Sequence, residues 1–194
     1  MAEFQSFEMG TAKRATYADL DRTPEGDGNV YELLDGTLNV SPRPTGRHSV
    51  AQTQLLVTLD RTLRPEGDNT RPTWEFVVEP ELRLGGDALV PDLAAWRTPL
   101  PPLGARGYFD VPPPWVCEVL SPTTTVLDWR VKLPAYFRHG VGHVWLLDIG
   151  HTALHVLGSG VSETHEGNAT VRPQPFGVAF DLGRLWNRLP SARP

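Results

Sequence analysis

The sequence predicts a mixed α/β fold: a sheet flanked by helices, with an N-terminal hairpin before it and a β meander after it. Three observations carry this expectation. Trp115-Val116-Cys117-Glu118-Val119-Leu120 and Val144-Trp145-Leu146-Leu147 are apolar runs separated by a helical stretch. That is the pattern of a strand–helix–strand crossover, which makes its two strands parallel. Ala51, Leu55, Leu59 and Leu63 recur at four-residue spacing, which places them on one face of a helix. Asp35-Gly36 stands between two short runs of strand character, the signal of a two-residue hairpin turn.

Taken in order, Thr16-Tyr17-Ala18-Asp19 starts a short helix with a capping-box-like pair, and Pro24 with Gly26-Asp27-Gly28 ends it. The hairpin follows, Val30–Leu34 and Thr37–Val40, closed by Ser41-Pro42-Arg43-Pro44. An amphipathic helix is expected from about His48 to Arg64. Strands are expected at Thr73–Val78, Glu81–Leu84 and Ala88–Trp96. A loop rich in proline and glycine runs from about Arg97 to Pro114. After the strand Trp115–Leu120, Ser121-Pro122-Thr123 turns the chain into a helix ending at Gly140, a good C-terminal stop. Pro134 inside that helix requires a late start or a kink. Beyond residue 150, the alternation from His151 to Leu157 and later short strands predict a peripheral meander, closed by a short helix near Leu182–Leu189. No repeat or linker interrupts the chain, so 1–194 reads as one domain.

Composition narrows the function classes. A chain of 194 residues with 40% hydrophobic and 21% charged content reads as globular and long enough to bury a core. No apolar run is long enough to span a bilayer. Met1-Ala2-Glu3-Phe4-Gln5-Ser6 has no basic-then-apolar pattern, so no secretory signal is expected. Cys117 is the sole cysteine, which excludes an intramolecular disulfide and a cysteine metal cluster and suits a reducing cytoplasm. A net charge of −5 argues against a general nucleic-acid coat protein, which would present a basic face. It leaves room for a nuclease whose acids gather round a metal ion.

Two acids stand out. Strands covered on both faces read as near-continuous apolar runs. Asp92 interrupts one such run, beside Val90 and Ala94, and Glu118 interrupts another, beside Val116 and Leu120. A carboxylate there needs a partner or a metal. If the two strands are neighbours, about 4.8 Å apart, both acids reach one cation. Oxygen-only ligands favour Mg²⁺ or Mn²⁺. Lys132, on the crossover helix, can fold back over the same face, and Glu32 on the hairpin supplies a third acid. Lys132 is one of two lysines among 18 basic residues, and a compact ammonium does what an arginine fork cannot. The plainer alternative is that each acid meets water or an arginine at a strand end and that Lys132 is a helix-surface lysine.

The order Tyr31-Glu32-Leu33-Leu34-Asp35-Gly36, Ser41-Pro42, Arg47-His48, Pro91-Asp92, Glu118-Val119-Leu120-Ser121-Pro122, Asp128, Lys132-Leu133-Pro134-Ala135-Tyr136, Gly140-Val141 and Val144-Trp145-Leu146-Leu147-Asp148 resembles the Uma-two group of restriction endonucleases, in the PD-(D/E)XK nuclease superfamily. The resemblance covers roughly residues 15 to 158, leaving the meander and short helix of 159–194 outside it. It implies a restriction-endonuclease-like fold, metal-ligand roles for Asp92 and Glu118, a supporting role for Glu32 and a catalytic role for Lys132. The superfamily's lysine usually stands two residues after the glutamate. Here Leu120 occupies that place, and the group resembled puts the lysine on the following helix, at Lys132. The implied activity is metal-dependent cleavage of DNA. Beside it, the Val119 carbonyl is a candidate further ligand, Asp128 stands one helical turn before Lys132, where it can steady the ammonium, and cutting both strands of a duplex fits a two-fold homodimer. Arg43, Arg47 and His48 are candidate phosphate contacts. A catalytically silent module that binds nucleic acid or a protein is the competing reading. His151/His155 and His139/His143 are not placed to share an ion, so no zinc is expected. Trp74, Trp96, Trp115 and Trp145 are expected in the core.

Overall fold

The computed structural model describes residues 14–64, 74–121 and 125–190. Lys13, Thr73 and the Pro122-Thr123 half of the expected turn lie outside the described residues. Local chemistry sets the first elements. In the short helix α1 (Tyr17–Leu20), the Asp19 carboxylate accepts from the Thr16 N–H at 2.9 Å and hydroxyl at 2.7 Å, as the capping pair required. Strands β1 (Asn29–Leu34) and β2 (Thr37–Pro42) pair through a turn in which Asp35 and Gly36 have φ of 50° and 76°. A two-residue turn with both φ values positive matches the twist of the strands it joins, and Asp-Gly tolerates it. Helix α2 (Gly46–Leu63) is capped by Thr45 and buries Ala51, Leu55 and Leu59.

The remaining elements are β3 (Trp74–Val78), β4 (Leu82–Leu84), β5 (Asp87–Leu89), β6 (Leu93–Arg97), β7 (Trp115–Leu120), α3 (Thr125–Leu127), α4 (Leu133–Arg138), β8 (His143–Asp148), β9 (Ala153–Gly158), β10 (Val161–Glu166), β11 (Thr170–Val171), β12 (Phe180–Asp181) and α5 (Gly183–Trp186). They build a six-stranded sheet in the order β10-β9-β8-β7-β6-β3 and a four-stranded sheet in the order β2-β1-β5-β4. β7 and β8 are parallel, as the crossover demands, and the other pairs of the large sheet are antiparallel. One face of the large sheet, with Trp115, Cys117 and Val119, packs against α2, α5 and the β11–β12 pair. The other face, with Val116 and Leu120, packs against the small sheet and α4. Trp74, Trp96, Trp115 and Trp145 are all buried.

Two expectations are corrected. The run Ala88–Trp96 is not one strand. It breaks at Val90-Pro91-Asp92 into β5, which belongs to the small sheet, and β6, which belongs to the large one. Pro91 has no N–H for a ladder, and the chain uses that point to change sheets. The crossover helix neither starts late nor kinks at Pro134. A π turn over Asp128–Lys132 joins α3 to α4, with the Leu133 N–H donating to the Asp128 carbonyl. The wider turn ends just before the ring of Pro134 would meet the carbonyl of a preceding α turn. The meander does lie at the periphery, where β9 and β10 extend the large sheet beyond β8 to its edge. Of the proline-rich loop 98–114, Phe109 is buried with its ring stacked 4.4 Å from Trp96, which pins the loop to the sheet.

Candidate active site

The change of sheets at Val90-Pro91-Asp92 builds the site. It carries the chain from beside β1, where Glu32 sits, to beside β7, where Glu118 sits. The Val90 N–H, which leaves the ladder there, donates to Glu32 Oε1 at 2.7 Å. Asp92 Oδ2 accepts the Val119 N–H at 2.6 Å. Its Oδ1 lies 2.8 Å from His48 Nε2. The Asp92 carbonyl accepts Gln52 Nε2 at 2.7 Å and the Glu79 N–H at 3.1 Å. His48 and Gln52 are four apart on α2, so one helix face holds both ends of the aspartate.

Lys132 reaches the same place from the π turn. Its ammonium lies 3.0 Å from Glu32 Oε1 and 2.8 Å from Glu118 Oε1, and donates to the Val90 carbonyl at 3.1 Å. Tyr136, one helical turn on, donates its hydroxyl to the same Glu118 oxygen. Glu32, Glu118, Asp128 and Lys132 are each less than 5% exposed. Buried charges are tolerated where they are paired and hydrogen-bonded, as Glu32, Glu118 and Lys132 are.

The electrostatics follow from crowding. A cavity of about 280 Å³ is lined by Glu32, Glu79, Asp92, Glu118 and Asp128 against Arg43 and Lys132, with His48, Leu127 and Pro42 among its other walls. Five carboxylates against two cations leave an excess of negative charge. Burial pushes the Glu118 carboxyl well up. Lys132 pulls it down, and Asp128, Asp92 and Glu32 push it up again. Burial alone would lower Lys132. The charges of Glu118, Glu32 and Asp128 outweigh it and hold the ammonium above its ordinary range. Glu118 and Lys132 thus each hold a proton more tightly than usual, Glu118 chiefly through burial and Lys132 through the carboxylates around it.

The donor set suits a hard divalent cation: carboxylate oxygens, a surplus of negative charge and room for the waters that Mg²⁺ keeps. Among the described residues, no three His, Cys, Asp or Glu side chains are gathered closely enough to hold an ion by themselves. Two carboxylates would therefore need a carbonyl or water to complete the shell.

Of the residues singled out from sequence, Glu32, Asp92, Glu118, Asp128, Lys132 and His48 line one cavity, with Arg43 exposed among its walls. Val119 takes part through its N–H. Arg47 does not join them and donates instead to the Ile149 carbonyl at 3.3 Å. Gln52, Tyr136 and the Val90 carbonyl were missed. Tyr136 carried a signal, since it stands four residues after Lys132 on the same helical stretch. Gln52 carried one too, a polar residue beside the apolar positions Ala51 and Leu55.

No helix among the described residues is long and apolar enough to cross a membrane. No curated protein matches the chain. Among solved structures, a "putative nuclease belonging to DUF820 from Anabaena variabilis" superposes with a TM-score of 0.71 at 22% identity, covering 90% of this chain and 98% of that one. At that identity the likeness shows the fold alone, a mixed α/β sheet flanked by helices of the restriction-endonuclease-like kind. The family model described as "Uma2: Putative restriction endonuclease" matches residues 15–183, past the 158 reached by the motifs and as far as the start of α5. The chain belongs to the Uma2 family.

Proposed function

We propose that the chain is a metal-dependent endonuclease that hydrolyses DNA phosphodiester bonds. The observation that carries this is the convergence of Glu118 and Glu32 on the buried ammonium of Lys132, with Asp92 lining the same carboxylate-rich cavity. Asp92, Glu118 and the Val119 carbonyl would hold Mg²⁺ or Mn²⁺, and such an ion supplies an acidified water and a counter-charge for the phosphoryl oxygens. The protein's own groups do the rest. Asp92 is kept in one orientation by the His48 ring and the Val119 N–H. Lys132 acts as a fixed positive charge beside the reacting phosphate. Glu32 holds that ammonium in place. Arg43, exposed at the cavity, contacts a phosphate of the bound strand. His48 supports Asp92 and does not touch phosphate. The net charge of −5 fits weak or specific DNA binding, and a two-fold homodimer would match the two strands of a duplex. The sole, buried cysteine suits work in the cytoplasm.

The test is plasmid cleavage in Mg²⁺ or Mn²⁺. Wild type is expected to nick and linearise, and Asp92→Ala to lose on the order of 10²-fold or more. Equal cutting by both would sink the proposal. One observation favours a second reading, a silent nuclease-fold module: the site acids already have partners in Lys132, Tyr136 and His48. Such a module would show no Mn²⁺-dependent rise in Tm, whereas the enzyme would.

A further inference from the structure

The oxygens round Lys132 make a cation cage of their own. Glu32 Oε1, Glu118 Oε1 and the Val90 carbonyl stand 3.0, 2.8 and 3.1 Å from Nζ. They come from β1, β7 and the link between β5 and β6, so three separate backbone segments converge on one point. Each carboxylate is also fixed by a donor other than the ammonium. The Val90 N–H holds Glu32 Oε1, and the Tyr136 hydroxyl holds Glu118 Oε1. The cage is thus assembled by the fold and filled by the ammonium. Two carboxylates and a main-chain carbonyl are the donor types a hard divalent ion takes.

We propose that Lys132 fills a built-in second cation site, formed by Glu32, Glu118 and the Val90 carbonyl. The wild-type chain then takes one divalent ion, at Asp92 and Glu118, and a chain lacking the ammonium takes two. This rests on the metal-dependent reading and extends it to the number of ions the site holds. Metal–oxygen bonds of about 2.0–2.6 Å are shorter than the distances round Nζ, so the cage must contract, least for Ca²⁺ and most for Mg²⁺. Truncating Lys132 to alanine vacates the cage and leaves two buried carboxylates without their cation. A divalent ion that enters restores the balance.

The experiment titrates wild type, Lys132→Ala and Lys132→Met with Mn²⁺, counting bound ions by loss of the free-ion EPR signal. Thermal unfolding is followed in chelator and in Mn²⁺. One ion is expected on wild type and on Lys132→Met, whose side chain still fills the cage, and two on Lys132→Ala. The Tm of Lys132→Ala should lie below wild type in chelator and rise more than wild type does in Mn²⁺. One ion on Lys132→Ala, or two on wild type, overturns the inference. No bound ion on any of the three would instead remove the metal-dependent reading beneath it. Should Lys132→Ala fold only in Mn²⁺ and carry two ions, the inference stands. Failure to fold in either buffer, while Lys132→Met folds in both, overturns it.

Discussion

At the scale of the residue, the site turns on how few donors each carboxylate oxygen can find. Glu118 Oε1 takes both the Lys132 ammonium and the Tyr136 hydroxyl, while Asp92 divides its oxygens between His48 and Val119. Tyr136→Phe removes one donor from a buried acid without altering the ring's packing. It is expected to cost about 1.5–3 kcal/mol of stability, read from urea denaturation, and to weaken Mn²⁺ binding as Glu118 loses its orientation. Lys132→Arg asks a planar fork to enter a three-oxygen cage closed by β1 and β7. Overpacking of about 1–3 kcal/mol is expected, with cleavage falling on the order of 10²-fold from the misplaced charge. Retained activity in Lys132→Arg would mean that a positive charge of any shape suffices. Asp92, Glu118 and Lys132 were legible in the sequence because carboxylates inside apolar runs need a reason, and a lysine in an arginine-rich chain draws notice. The Val90 carbonyl was not legible, because a main-chain oxygen leaves no trace in residue identity. Neither was the diversion of Arg47, since its partner lies at the far end of β8.

At the scale of the element, the decisive feature is the break between β5 and β6. Pro91 marked it in the sequence. The run still has the pattern of one strand, because both halves are apolar and nothing local tells one sheet from another. The π turn before Pro134 is similar: the proline announced an irregularity, and only packing chose a widened turn over a kink. The small sheet is tied to the crossover helix through Asp87, which lies 2.6 Å from Arg138 Nη2 and 2.7 Å from His139 Nε2, and accepts the Asp35 N–H at 2.8 Å. Burial pushes the Asp87 carboxyl up, but the hydrogen bonds from His139, Arg138 and the Asp35 N–H outweigh it and hold the group below its ordinary range. A carboxyl lowered by folding stabilises above its unfolded value, about 3.9, and that contribution fades as pH falls through the folded value. Asp87→Asn is therefore expected to lose about 1.5–3 kcal/mol near neutrality, with the gap to wild type narrowing below about pH 4. A gap that does not change with pH would deny the ionic part of this tie.

At the scale of the whole molecule, two sheets meet, and the cavity sits where the chain passes from one to the other. The parallel pair β7–β8, the long helix α2 and the hairpin were readable from sequence, because each is set by local periodicity or turn chemistry. The existence of a second sheet was not, because the β1–β5 pairing joins segments far apart in the chain, with Leu33 opposite Ala88. The meander's place on the large sheet was hidden for the same reason: alternation predicts a strand and does not name its neighbour. This architecture makes the central claim a spatial one, that an ion bound by Asp92 and Glu118 sits beside the ammonium of Lys132. A crystal grown with Mn²⁺ and measured at the manganese absorption edge tests that most directly. The expected result is an anomalous peak bridging Asp92 and Glu118, with Lys132 still on Glu32 and Glu118. Manganese bound elsewhere, or a site cavity without a peak at saturating Mn²⁺, would contradict it.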